Sequence, residues 1–235
     1  MNKKISFKAG TENIVGEILG DRTDELSDFV YFHGAGKSTT RSIAKSIFDE
    51  SVFTVVPNIV TFDFSGHGES SGELQYSSLK QRVLEAQTAI ESFTTQEKLT
   101  VCGSSMGGYI ALKMLSFFDI KNIILFAPAI YDEQGYEVQF GKGFSEIIRK
   151  LESWKNSDVL PLLEKFSGNL LVFIGKDDSV IPRGVIDLLD TYSPHVTRKE
   201  IIRFDGCPHT IPAWLDNHPA QQKQVAEKIL KYYRI

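Results

Sequence analysis

Apolar positions along this chain follow two alternating rhythms. Short runs rich in Val, Ile, Leu and Phe, at residues 29–33, 59–64, 99–103, 122–127, 170–175 and 200–204, are mostly apolar on both faces. Strands buried between two layers of helices have that character. Between them the period lengthens to that of a helix. Residues 38–49 gather Ile43, Ile47 and Phe48 on one face, residues 79–93 gather Val83, Ala86 and Ile90, and residues 107–118 are apolar almost throughout. Residues 219–233 open with a proline suited to a first turn and carry Val225, Ile229 and Tyr233 at four-residue spacing. Weaker alternation at 3–8 and 14–19 predicts an antiparallel hairpin at one edge. Strands alternating with helices predict an α/β fold with a mostly parallel, eight-stranded sheet flanked by helices.

One stretch breaks the rhythm. About forty residues separate the strand ending near Ala127 from the next at Leu170, more than a simple crossover needs. Residues 159–166 read as the helix returning to the sheet. Ahead of them Phe144, Ile147, Ile148, Leu151 and Trp154 read as one amphipathic helix. Tyr131, Tyr136 and Phe140 add to an aromatic-rich insertion at about 130–157, expected either as a small satellite core or as a lid over an apolar pocket.

Composition narrows the class. With 235 residues, 42% of them hydrophobic, the chain suits one globular domain with a sizeable core. A net charge of -4 with no cluster of Lys or Arg argues against a nucleic-acid partner. No apolar stretch approaches the roughly 18 residues of a membrane span, and the N-terminal residues lack a signal-peptide core, so the cytoplasm is the expected location. Cys102 and Cys207 are too few for a disulfide framework and lack zinc-site spacing, so they are expected as reduced thiols and no metal is expected. Nothing in the pattern speaks to oligomeric state.

The chemistry centres on Gly103-Ser104-Ser105-Met106-Gly107, a G-x-S-x-G string in which a strand turns sharply into a helix and only small neighbours clear the serine. Gly68-Glu69-Ser70-Ser71-Gly72 matches the same string, but Ser70 lies in a polar loop while Ser105 follows a strand and opens an apolar helix. Ser105 is therefore the candidate nucleophile. A serine needs a base, and the base needs a carboxylate to hold its tautomer. Of five histidines, His33 and His67 precede Ser105, His195 lies in a polar loop and His218 heads the last helix. His209 alone follows the last predicted strand in a short loop, at the sheet edge where ligands bind in such folds. The acid falls in the loop 175–182, where Asp177 and Asp178 compete. Donors for an oxyanion are expected from the backbone amides of Ala35, in His33-Gly34-Ala35-Gly36, and of Met106. The nearby Gly36-Lys37-Ser38-Thr39 is no phosphate-binding loop, since the required first glycine would fall on Tyr31.

These residues together resemble the α/β-hydrolase superfamily, particularly its compact esterase, thioesterase and serine-aminopeptidase-like members, over nearly the whole chain. Asp63-Phe64-Ser65-Gly66-His67-Gly68-Glu69-Ser70 is similar to that family's D-x-x-G-x-G-x-S loop, which implies a structural role for the second serine string. The segment 175–182 resembles its G-x-x-D-x-x-V-P, whose aspartate falls on Asp178, with Asp177 still open. The resemblance also implies His209 as the base, although Cys207 and Pro208 replace the usual small residues before it, and a short cap between the sixth and seventh strands. The expectation is a cofactor-free serine hydrolase acting on a small-molecule ester or thioester. Peptide, lactone or carbon-carbon bond cleavage by the same triad, and a catalytically silent small-molecule-binding homologue, are the alternatives.

Overall fold

The computed structural model describes residues 2–35 and 41–234. Its eight strands are β1 (Asn2–Ala9), β2 (Glu12–Gly20), β3 (Phe29–Phe32), β4 (Asn58–Asp63), β5 (Leu99–Ser104), β6 (Ile120–Phe126), β7 (Asn169–Gly175) and β8 (Arg198–Phe204). They form one sheet in the order β1-β2-β4-β3-β5-β6-β7-β8. β1 and β2 form the edge hairpin, β2 meets β4 antiparallel, and every other pairing is parallel.

Strand residues alternate between two cores because successive side chains point to opposite faces. Val30, Phe32, Val101, Ile123, Leu125, Leu170 and Val172 join one cluster, while Phe29, Tyr31, Cys102, Ile124, Phe126, Leu171 and Phe173 join the other. Among the described residues eight α-helices cover the sheet or extend its loops: α1 (Arg41–Ile47), α2 (Leu79–Phe93), α3 (Met106–Lys113), α4 (Lys142–Ile148), α5 (Leu160–Lys165), α6 (Arg183–Thr191), α7 (Ile211–Leu215) and α8 (Pro219–Tyr233). The first cluster packs against α2, α3, α5 and α6, and the second against α1, α7 and α8. No helix among the described residues is long and apolar enough to cross a membrane.

The order of strands positions the site. From β3 the chain moves to β4 on one side, then crosses β3 to lay β5 on the other. The loops leaving β3 and β5 therefore diverge and open a crevice at their C-terminal ends, the usual ligand position in open α/β sheets.

Several boundaries differ from the pattern. The start of the helix expected at 38–49 lies outside the described residues, and α1 ends at Ile47. The helix expected at 107–118 tightens after Lys113 into a 3-10 turn at Met114–Ser116. The single helix expected through Trp154 is broken. α4 stops at Ile148, Glu152 takes a left-handed conformation (φ 56°), and a 3-10 turn over Ser153–Asn156 redirects Trp154 onto Gly184 at the start of α6. Leu151, assigned to the apolar stripe of that helix, is 93% exposed.

Candidate active site

Ser105 sits between β5 and α3 with φ 51° and ψ -117°, a backbone conformation that strains any residue with a side chain. Its neighbours explain how the strain is held. A Cβ on Gly103 would lie 2.1 Å from the Gly107 carbonyl oxygen, and one on Gly107 would lie 2.1 Å from that of Phe32. Only glycine at both places lets α3 leave β5 so steeply. The Ser105 N–H donates to Phe126 O (2.9 Å), and the Ser105 carbonyl accepts from the N–H groups of Gly108 (2.9 Å) and Ala129 (3.0 Å). The turn is thus pinned to β6 and the loop after it.

Three sequence-predicted residues meet here. His209 Nε2 lies 3.0 Å from Ser105 Oγ, and its Nδ1 lies 2.9 Å from Asp178 Oδ2. The other oxygen of Asp178, Oδ1, accepts from the N–H groups of Val180 (2.7 Å) and Ile181 (3.0 Å). Those two donors fix the carboxylate and leave Oδ2 facing the imidazole. Asp177 is exposed, with its N–H donating to Cys207 O (3.1 Å). Of the two competing acids, Asp178 is the one beside His209.

The acid and histidine loops are packed backbone to backbone. Lys176 N–H donates to Phe204 O (2.9 Å), and a Cβ on Gly175 would lie 2.1 Å from Cys207 O. Cys207 is fully buried there, and burial, reinforced by the Asp178 and Asp177 charges, pushes its thiol up to about 12. It stays a thiol and packs as a small apolar residue. Cys102, in β5, is likewise buried and held protonated by desolvation.

The loop after β3 runs against the nucleophile, since a Cβ on Gly34 would lie 3.1 Å from Ser105 Cβ. Ala35 follows and is exposed, while Gly36 and the Gly36-Lys37-Ser38-Thr39 string lie outside the described residues. Met106 is the first residue of α3, so its amide has no partner within the helix.

His33, which chain order set aside as a base, ties the loop after β3 in place. It is buried, its Nδ1 is 2.6 Å from Gly34 O, and its Nε2 is 2.9 Å from the Phe64 N. A carbonyl can only accept and an amide N–H can only donate, so His33 is neutral with its proton on Nδ1. Burial, with electrostatic repulsion from His67 and Arg82 against a second proton, holds its pKa well below the ordinary histidine value. The ring clasps the loop carrying Ala35 to the end of β4. Beneath it, buried Arg82 donates to Ser65 O (2.7 Å) and pairs with Glu85 (3.2 Å). Its guanidinium lies 5.0 and 5.5 Å from the ring centres of Phe64 and Phe140. Their π-faces stand where Nε and Nη2 find no hydrogen-bond acceptor.

Phe140 belongs to the segment between β6 and β7. Tyr131, Phe140 and Phe144 are buried in the α2–α3 core, and Tyr136 and Trp154 pack half-buried against it. Asp158, just before α5, accepts from Tyr109 Oη (2.9 Å) and pairs with Lys113 Nζ (2.9 Å), both on α3.

A mostly parallel eight-stranded sheet with a strained serine between β5 and α3, at the topological switch, defines an α/β-hydrolase. The family model described as serine aminopeptidase, S33, matches residues 29–162, more than half of the chain, and the chain belongs to that family. Solved structures share its fold at low identity. Est1E from Butyrivibrio proteoclasticus, determined with ferulic acid bound, aligns over 98% of this chain and 100% of its own at 14% identity and a TM-score of 0.70. An esterase of Pyrococcus furiosus aligns over 99% and 93% at 16% identity and 0.66. The thioesterase domain from the curacin biosynthetic pathway aligns over 96% and 99% at 15% identity and 0.67. No curated protein matches the chain in sequence.

Proposed function

We propose that the protein is a serine hydrolase that cleaves a small-molecule ester or thioester through an acyl-enzyme. The observation that carries this reading is the series Asp178, His209, Ser105, linked at 2.9 and 3.0 Å. Ser105 Oγ attacks the acyl carbon while His209 Nε2 takes its proton, and Asp178 holds the tautomer and stabilises the imidazolium. Negative charge on the acyl oxygen falls to the amides of Ala35 and Met106. The intermediate collapses, and the departing alcohol or thiol receives the proton from His209. Water, deprotonated by the same imidazole, then attacks the acyl-enzyme and releases the acid. These steps use only side chains, amides and water. We read residues 1–235 as one hydrolase domain in which residues 130–157 form a small cap.

Ester and thioester chemistry is supported by the esterases and the thioesterase that share the fold. A peptide-bond reading is favoured by the family's description as serine aminopeptidase. Short p-nitrophenyl esters, acyl thioesters and leucine p-nitroanilide, assayed side by side with fluorophosphonate labelling, separate the readings. Turnover of the esters or thioesters, with labelling lost in Ser105→Ala, is the expected result. Labelling that persists in a folded Ser105→Ala protein overturns the nucleophile. Exclusive turnover of the anilide overturns the substrate class. A wild-type protein that neither labels nor turns over any of them is the silent homologue.

A further inference from the structure

A cavity of about 310 Å³ is lined in part by the acid loop, and of its lining residues the proposed reaction uses only Asp178. Its walls are apolar, built from Ala127, Ile174, Ile181 and Ile186. Its rim is not. Lys176, Arg183 and Arg203 line it together with the carboxylates of Asp178 and Asp187. Lys176 is paired with Asp205 at 2.6 Å, but neither Arg183 nor Arg203 makes an ion pair among the described residues.

The carboxylates do not supply the missing partner. Asp178 spends Oδ1 on two backbone amides and Oδ2 on His209, so its charge is already compensated. Asp187 stands one helical turn from Arg183 yet lies beyond ion-pair distance. Two guanidiniums therefore face a partly apolar hollow with their donors uncommitted. Guanidinium forks match carboxylate and phosphate oxygens in pairs, and such contacts are among the stronger polar interactions. The volume sits at the small end of the roughly 300–1,000 Å³ usual for ligand sites.

We propose that this cavity is a second ligand site that takes a small organic anion. A carboxylate or phosphate head would be held by Arg183 and Arg203, and a short apolar body would lie on Ile174, Ile181 and Ile186. Ser105 and His209 do not line the cavity, so an occupant would touch the acid but not the nucleophile or the base.

Isothermal titration calorimetry on the folded Ser105→Ala protein tests the site without turnover. Hexanoate, hexyl phosphate and neutral hexanamide are compared. The expected result is that one or both anions bind, with the amide at least tenfold weaker; the tighter anion identifies the head group. Arg183→Gln with Arg203→Gln weakens the anion at least tenfold. Asp187→Asn removes the one uncommitted carboxylate and tightens it. That gain is a result that a damaged fold does not imitate. The proposal is overturned if anion and amide bind alike, if no anion binds at millimolar concentration, or if the double variant binds as tightly as its parent.

Discussion

Stability of this protein should fall on mild acidification because of one buried ring. His33 uses both nitrogens, Nδ1–H to Gly34 O and Nε2 to the Phe64 N–H, so a second proton would sit against a donor and place a charge beside His67 and Arg82. The folded protein refuses that proton, while the unfolded chain accepts it near the ordinary value of about 6.5. A histidine depressed on folding makes the unfolded state the greater proton binder, so stability is complete above about pH 6.5 and is lost as pH falls below it. One proton corresponds to about 1.4 kcal/mol per pH unit, or about 2 kcal/mol between pH 6.5 and 5, before most carboxylates titrate. Urea unfolding at half-unit pH steps measures it. His33→Asn, which keeps a donor for Gly34 but leaves the Phe64 N–H without its acceptor, should start about 1–3 kcal/mol less stable at neutral pH. The two curves should then converge by about 2 kcal/mol as pH drops to 5. Parallel curves across that window would refute the argument, whatever their separation.

Three further substitutions have expected outcomes of different kinds. Asp178→Asn should reduce kcat on a p-nitrophenyl ester by about ten-thousandfold through loss of tautomer control, while Asp177→Asn leaves it near wild type; equal losses would remove Asp178 from its role. Gly107→Ala pushes a methyl to 2.1 Å from the Phe32 carbonyl, so α3 must lift off β3, with a loss of about 3 kcal/mol or more in urea unfolding. A loss under about 1 kcal/mol would mean that the elbow yields easily. Glu85→Gln strands the Arg82 guanidinium in the core and should cost about 3–5 kcal/mol, and a near-neutral effect would show that the two rings and Ser65 suffice for the charge.

What could be read in the sequence follows a physical division. β3 to β7 were legible because both faces are buried, which leaves continuous apolar runs, and β8, a half-buried edge strand, was legible only over its more apolar end. No helix was expected over α6, although Val185, Ile186 and Leu189 fall on its buried face, and α7, with five residues, is too short to show a period. Strand context and chain order singled out Ser105 and His209, which the structure brings within 3.0 Å of each other. Asp177 and Asp178 could not be separated that way, because neighbouring carboxylates in one loop differ only in where they point. The amides of Val180 and Ile181 decide that in three dimensions. His33 was out of reach for the same reason: its partner amide lies 31 residues further along the chain.

On the proposed hydrolase reading, the aromatic residues between β6 and β7 bear on how substrate reaches Ser105. A hinged lid needs a face that can leave its seat, yet Tyr131, Phe140 and Phe144 are buried with α2 and α3. The segment is also fastened at two places beside the candidate site. Asp158 is gripped by Tyr109 and Lys113 on the helix that begins after Ser105, and Phe140 covers Arg82, which anchors the loop following β4. Its backbone is tied to α2 as well, through the Lys80 N–H to Tyr136 O and the Phe140 N–H to Ser77 O, both at 2.9 Å. Swinging the whole segment would break a half-buried ion pair, several hydrogen bonds and an aromatic core together, a cost of many kcal/mol. The most exposed part is the break between α4 and the 3-10 turn, where Leu151 stands in solvent and Glu152 is left-handed, although Ser153 Oγ still donates to Ile148 O across it (2.9 Å). On the proposed hydrolase reading, the buried part of this segment is a wall in place before substrate binds and not a hinged lid.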